Sequence, residues 1–142
     1  MSLDRRIGAV SATLAAAISL ALVPTTQASA ATPQCTTRKL VTAVTGASVY
    51  VPASSGGSTS CYIAEGSQSS AVWALQSMIN CTTSGSLITV DSDFGPKTKA
   101  ALIAMQKHFK ISADGVYGPQ TASQEWLAVQ TRPGFCDLWH YN

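Results

Sequence analysis

The sequence predicts a mainly α fold: a disulfide-stapled three-helix domain preceded by a small β-rich N-terminal extension. Three observations carry that prediction. Apolar residues recur at helical spacing twice after residue 69, and a turn motif that opens on Gly-Pro is written twice. Before residue 66 the pattern is different, with short β-branched runs between turn-formers. The predicted divisions are 1–30, 31–66, 67–130 and 131–142, taken here in order.

Residues 1–30 have the form of a cleaved signal peptide. Arg5 and Arg6 make a basic start, "IGAVSATLAAAISLALV" an apolar stretch, and Ala28-Ser29-Ala30 a small-residue cleavage site. The Pro24-Thr25-Thr26 break argues for a leader rather than a membrane anchor. Cleavage would leave residues 31–142, enough for one small domain and an extension but not for a two-lobed enzyme. Of nine Lys and Arg, two lie in the leader; of seven Asp and Glu, one does, so the remainder carries a net +1. That balance gives no basic face for nucleic acid and no polybasic patch for a membrane.

Residues 31–66 form the β-rich extension. "LVTAV" (40–44) and "SVYV" (48–51) flank Thr45-Gly46-Ala47, and "GSTSCYIA" follows the Ser54-Ser55-Gly56-Gly57 turn. Two or three short strands are expected. Four cysteines, an even count in a short exported chain, read as disulfides. Pairing within each half of the chain gives Cys35–Cys61 and Cys81–Cys136. No Cys-x-x-Cys or His-x-x-x-His spacing supports a metal site with His108 or His140, so no metal is expected.

Val72, Leu75 and Ile79, with Met78 beside them, mark one face of a helix near 69–80, capped at Ser69 or Ser70. Leu102, Met105 and Phe109 repeat the spacing over 96–109. Pro96 stands at the first helical position, where its missing N–H costs nothing. Pro119 starts a third helix for the same reason, running through Trp126 and Leu127 to about Gln130. "VWALQSMI" (72–79) echoes "LIAMQKHF" (102–109), with Ala74 matching Ala104 and Gln76 matching Gln106. "DSDFGPKT" (91–98) echoes "DGVYGPQT" (114–121). The unit is therefore helix, loop, turn and next helix, and two units share the middle helix. The tail 131–142 follows.

Each residue of the repeated turn has a mechanical reason to be there. Asp91 and Asp114 can accept backbone N–H groups two residues on. Phe94 and Tyr117 can fold under the turn as core plugs. Gly95 and Gly118 offer backbone angles closed to other residues, and Pro96 and Pro119 set φ for helix entry. Thr98 and Thr121 fall in the first helical turn. A calcium loop is excluded, because position 12 from Asp91 is Leu102 rather than a bidentate Glu. A phosphate loop is excluded because no Gly-Lys-Ser/Thr follows.

Together, "AVWALQSMIN…ITVDSDFGPKTKAALIAMQKHFKISADGVYGPQTASQEW" resembles the peptidoglycan-binding domain 1 family. The likeness covers roughly residues 69–130. It rests on paired Leu-Gln helices, two Asp-Gly-x-Phe-Gly-x-x-Thr-like turns and a terminal Trp. It implies a compact three-helix, peptidoglycan-binding-like domain that attaches secreted proteins to bacterial cell wall. Ser92 departs from the family's Gly, which Gly115 keeps in the second copy, so the first turn either relaxes or holds Ser at a strained angle.

Nothing in the chain assembles an acid–base or nucleophilic constellation. Asp93 stands alone, His108 and His140 read as surface residues, all four Cys can pair, and Gly-x-Ser-x-Gly does not occur. The expectation is a non-catalytic, secreted, wall-associated monomer that binds peptidoglycan, glycan or stem peptide, without a cofactor. The alternatives are a small lytic enzyme, or an inhibitor or antimicrobial protein directed at another protein. Candidate ligand contacts lie beside the turns: Asp93, Lys97, Tyr117, Gln120 and Gln124. Helix N-termini there would attract carboxylates. Trp73, Trp126 and Trp139 are candidates for stacking on sugars.

Overall fold

The computed structural model describes residues 31–44, 46, 48–82 and 88–131, with side chains through residue 125. Two antiparallel strands come first, β1 (Thr37–Thr42) and β2 (Ser48–Ala53), paired from Thr37 opposite Ala53 to Thr42 opposite Ser48. Three helices follow: α1 (Ser70–Thr82), α2 (Pro96–His108) and α3 (Pro119–Thr131). The expected third strand is reduced to isolated pairings of Tyr62 with Gln34 and of Ile63 with Tyr117.

The hairpin covers α1. Val49, Val51 and Ala43 are buried with Met78 of the helix, and Val41 packs against them. Burial alternates over the first half of β2, Ser48 to Val51, and is continuous from Val51 to Ala53, while β1 is largely exposed. Pro52 removes a donor from β2 without breaking a second ladder, because β2 has no further neighbour in the sheet.

The main core joins Val72, Leu75 and Ile79 of α1 to Leu102 and Met105 of α2, with Phe94 and Tyr117 beneath the turns. The helical spacing thus marks the buried faces correctly, and Phe109 packs at the edge of the same cluster. Ser69 caps α1: its Oγ accepts the Val72 N–H at 3.4 Å. Asn80 closes the end of that helix, donating to the Ile88 carbonyl and accepting its N–H, both at 2.8 Å.

Cys35 and Cys61 are bonded and lie within the same core. Closing a loop of 26 residues contributes about 3.5 kcal/mol in the chain-entropy account. The other expected pair, Cys81–Cys136, includes a residue outside the described set, as do the signal peptide and the tail beyond Thr131. No helix among the described residues is long and apolar enough to cross a membrane.

Candidate functional site

The two turns are built on two buried glutamines. Gln76, on α1, donates from Nε2 to the Asp91 carboxylate at 2.7 Å, to the Asp93 carbonyl at 3.0 Å and to Thr98 Oγ1 at 3.1 Å. Its Oε1 accepts the N–H groups of Asp91 and Ser92 at 3.1 and 2.9 Å. Gln106, on α2, does the same one unit later. It donates to Asp114, the Val116 carbonyl and Thr121 at 3.1, 2.9 and 3.2 Å, and accepts the Gly115 N–H at 3.0 Å. Each helix thus holds the turn that launches the next. A buried amide can persist only where donors and acceptors are met together, and here both ends of each side chain are met.

Within each turn the Asp carboxylate accepts the N–H two residues on, at 3.0 Å for Asp93 and 2.9 Å for Val116. The hydrogen bond from Gln76 is the main reason that the Asp91 carboxyl titrates below its ordinary value. Next in each turn, Ser92 and Gly115 take left-handed backbone, φ 68° and 72°. The Ser-for-Gly departure is therefore absorbed as strain, not relaxed. A Cβ at Gly115 would stand 3.0 Å from Lys99 Cγ and 3.2 Å from Ile103.

One sequence expectation is corrected. Gly95 has φ −88° and ψ −175°, ordinary extended backbone, and Gly118 is also outside the left-handed region. A Cβ at either would meet nothing within 4 Å. The reason is the following proline, which drives the preceding residue to extended angles that any amino acid adopts. The permissive backbone is needed three residues earlier, at Ser92 and Gly115.

Residues 63–68 run past both turns. Ile63 exchanges backbone hydrogen bonds with Tyr117, both 2.9 Å; Phe94 donates to the Ser67 carbonyl and accepts from the Gly66 N–H, also at 2.9 Å. Lys99 meets Glu65 at 2.8 Å, an exposed pair of small weight.

The five candidate contacts separate. Asp93 and Lys97 are exposed beside the first turn, and Asp93 accepts a long hydrogen bond from Gln68 at 3.4 Å. Gln120 is exposed and Gln124 half-buried on α3 beside the second turn. No hydrogen bond joins one pair to the other among the described residues. Tyr117 is not at the surface: its ring is 1 % exposed and serves as the core plug. Trp73 is half-buried, with Tyr50 edge-on at 6.0 Å and the Arg38 guanidinium 4.3 Å from its ring centre. Trp126 and Trp139 have no described side chains. Sequence reasoning missed Gln76 and Gln106, although their match within the echoed helices was the signal.

The repeated Gln-locked turn, one copy after each of the first two helices, fits the span over which the chain matches a known family. Residues 68–124 match the family described as "Putative peptidoglycan binding domain". The match holds both turns and both glutamines, and it leaves out the hairpin. A zinc D-Ala-D-Ala carboxypeptidase of Streptomyces albus G is 37 % identical over 86 residues, 56 % of this chain. The matched stretch is 32 % of that relative's length, so the chain spans only part of it. A solved structure of a peptidoglycan-binding protein from Clostridioides difficile, in complex with glutamine hydroxamate, is 33 % identical. It covers 57 % of this chain and 48 % of its own, with a TM-score of 0.48. The described residues hold no group of three His, Cys, Asp or Glu placed to ligate a metal.

Proposed function

We propose that this protein is a secreted, non-catalytic module that binds peptidoglycan at the bacterial cell wall as a monomer. The supporting observation is the family match over residues 68–124 with both Gln-locked turns intact. On this reading the turns are scaffold, and Asp93, Lys97, Gln120 and Gln124 are contacts beside them. The N-termini of α2 and α3 present backbone N–H groups next to these side chains, suited to the carboxylates of stem peptides and lactyl groups. Lys97 adds a point charge, and the two glutamines, four residues apart, add neutral donors and acceptors on one face. The leader expected over 1–30 would deliver the module to the wall.

Co-sedimentation of the purified protein with insoluble peptidoglycan tests retention, and turbidity of a wall suspension tests hydrolysis. The expected result is protein in the pellet with no loss of turbidity. Clearing of the suspension would replace this reading with a lytic one.

A further inference from the structure

Alternate residues of a strand take opposite faces, and residues directly paired across a ladder share one. Val41, Val49 and Val51 take the face that packs with Met78, so Arg38, Leu40 and Tyr50 share the other, with Leu40 directly opposite Tyr50. Trp73 of α1 completes this second group. The Arg38 guanidinium lies 4.6 Å from the centre of the Tyr50 ring and 4.3 Å from that of Trp73. The two rings are 6.0 Å apart at 78°, so the cation sits in the corner between them. Arg38 and Tyr50 lie outside the stretch that matches the family and Trp73 lies inside it, so the family likeness does not cover this cluster.

Two ring faces fix the plane of the guanidinium but use none of its N–H donors. Among the described residues, no oxygen accepts a hydrogen bond from it and no carboxylate pairs with it. The acids are engaged elsewhere. Glu65 pairs with Lys99, Asp91 and Asp114 accept from the turn glutamines, Asp93 accepts from Gln68, and Glu125 is buried in α3 at 2 % exposure. Arg38 is exposed and both rings are half-buried, so an uncompensated charge with free donors faces solvent. An exposed arginine ordinarily sweeps many rotamers, and holding it in one offsets most of what an ion pair gains. Here the rings hold it before any ligand arrives.

This geometry selects the class of ligand. The guanidinium covers the ring faces in the corner, so a sugar could stack on them only by displacing it, and a second cation would be repelled. A planar fork of donors matches the two oxygens of a carboxylate. Leu40, 49 % exposed on the same face, offers an apolar neighbour to a short alkyl group. We propose that Arg38, positioned by Tyr50 and Trp73, is a binding site for a carboxylate that carries a short apolar substituent. On the wall-binding reading it adds a contact for the acidic groups of a stem peptide to those beside the turns. The site itself does not rest on that reading and can stand or fail without it.

An NMR titration of the purified protein with butyrate follows the Arg38 Nε–H and the Trp73 indole N–H, assigned through Arg38→Lys and Trp73→Phe. The expected result is saturable movement of both resonances. Butyramide, the neutral isostere, should bind about tenfold more weakly, and propane-1-sulfonate, of equal charge but tetrahedral, more weakly than butyrate. Arg38→Lys keeps the charge and loses the fork; since the residue is exposed the fold should hold, and butyrate should weaken about fivefold on the Trp73 signal. Tyr50→Val leaves Arg38 in place but removes one of its two rings, and should weaken butyrate while keeping the preference for acid over amide. No saturable movement would overturn the proposal, as would butyrate binding Arg38→Lys as tightly as the wild type. Butyramide equal to butyrate would mark a merely apolar patch, and the sulfonate equal to butyrate a merely Coulombic one; either result overturns it. A lower melting temperature for Arg38→Lys, with no butyrate response in the wild type, would leave the stack as a fastener between hairpin and helix only. Wall retention is read separately by co-sedimentation, so its failure leaves this titration unaffected.

Discussion

Gln106 stands in for four partners at once: the backbone N–H of Gly115, the Val116 carbonyl, Asp114 and Thr121. Gln106→Leu keeps the volume and takes one hydrogen bond from each of the four, leaving Asp114 its bond from the Val116 N–H. Since an unmet buried polar group costs about 1–3 kcal/mol, and some of these groups can reach water, a loss of about 3 kcal/mol is expected in urea denaturation. A loss under 1 kcal/mol would show that the amide fills space and no more. Glu125 acts through pH. Its folded pKa, about 8, lies above the unfolded 4.5, so the fold favours the neutral acid. Its contribution is fully present below pH 4.5 and is lost as pH rises toward 8, at about 1.4 kcal/mol per unit. Thermal melts should therefore show stability falling from pH 5 to pH 8, and Glu125→Gln should flatten that slope. These two residues also mark how much could be read in advance. Gln76 and Gln106 stand in register in the echoed helices, but a polar match says nothing of its partners. Glu125 carries no pattern at all, because a single acid on a helix ordinarily reads as a solvated charge.

At the scale of elements, apolar spacing located α1 and α2 because Val72, Leu75 and Ile79 of one and Leu102 and Met105 of the other meet in a single core. The two Gly-Pro starts also hold, since the proline sets its own φ. What failed was the reason given for the glycines. Position in a motif does not reveal backbone angle, and the residue before proline is extended, whereas left-handed backbone falls at Ser92 and Gly115. This separation can be measured. Gly115→Ala adds a Cβ at positive φ and close to Lys99 and Ile103, and should cost about 1–3 kcal/mol. Gly118→Ala enters open space at ordinary angles and should stay within about 0.5 kcal/mol of the wild type. Equal losses for both would refute the assignment of strain.

For the whole molecule, the segment before α1 is part of what the turns rest on. Ile63 is fully buried and pairs with Tyr117, while Gly66 and Ser67 pair with Phe94. Partners so distant in sequence leave no periodic trace, which is why residues 31–66 read as an appendage in the sequence. Ile63→Ala should cost about 2–5 kcal/mol, as large-to-small changes in packed cores do, with a single cooperative transition retained. A biphasic melt would instead mark two independent units.

Wall retention is the property on which the account turns. Co-sedimentation with insoluble peptidoglycan should compare the wild type with a Lys97→Ala, Gln120→Ala variant whose melting temperature is checked alongside. Both residues are exposed, so melting should change by an amount equivalent to no more than about 0.5 kcal/mol. Loss of one charge-assisted and one neutral hydrogen bond, each worth roughly 0.5–3 kcal/mol, should lower retention several-fold. The expected result is wild-type protein in the pellet and the double variant largely in the supernatant. A double variant that pellets as fully as the wild type would show that the ligand sits elsewhere, and a wild type left in the supernatant would contradict peptidoglycan binding itself.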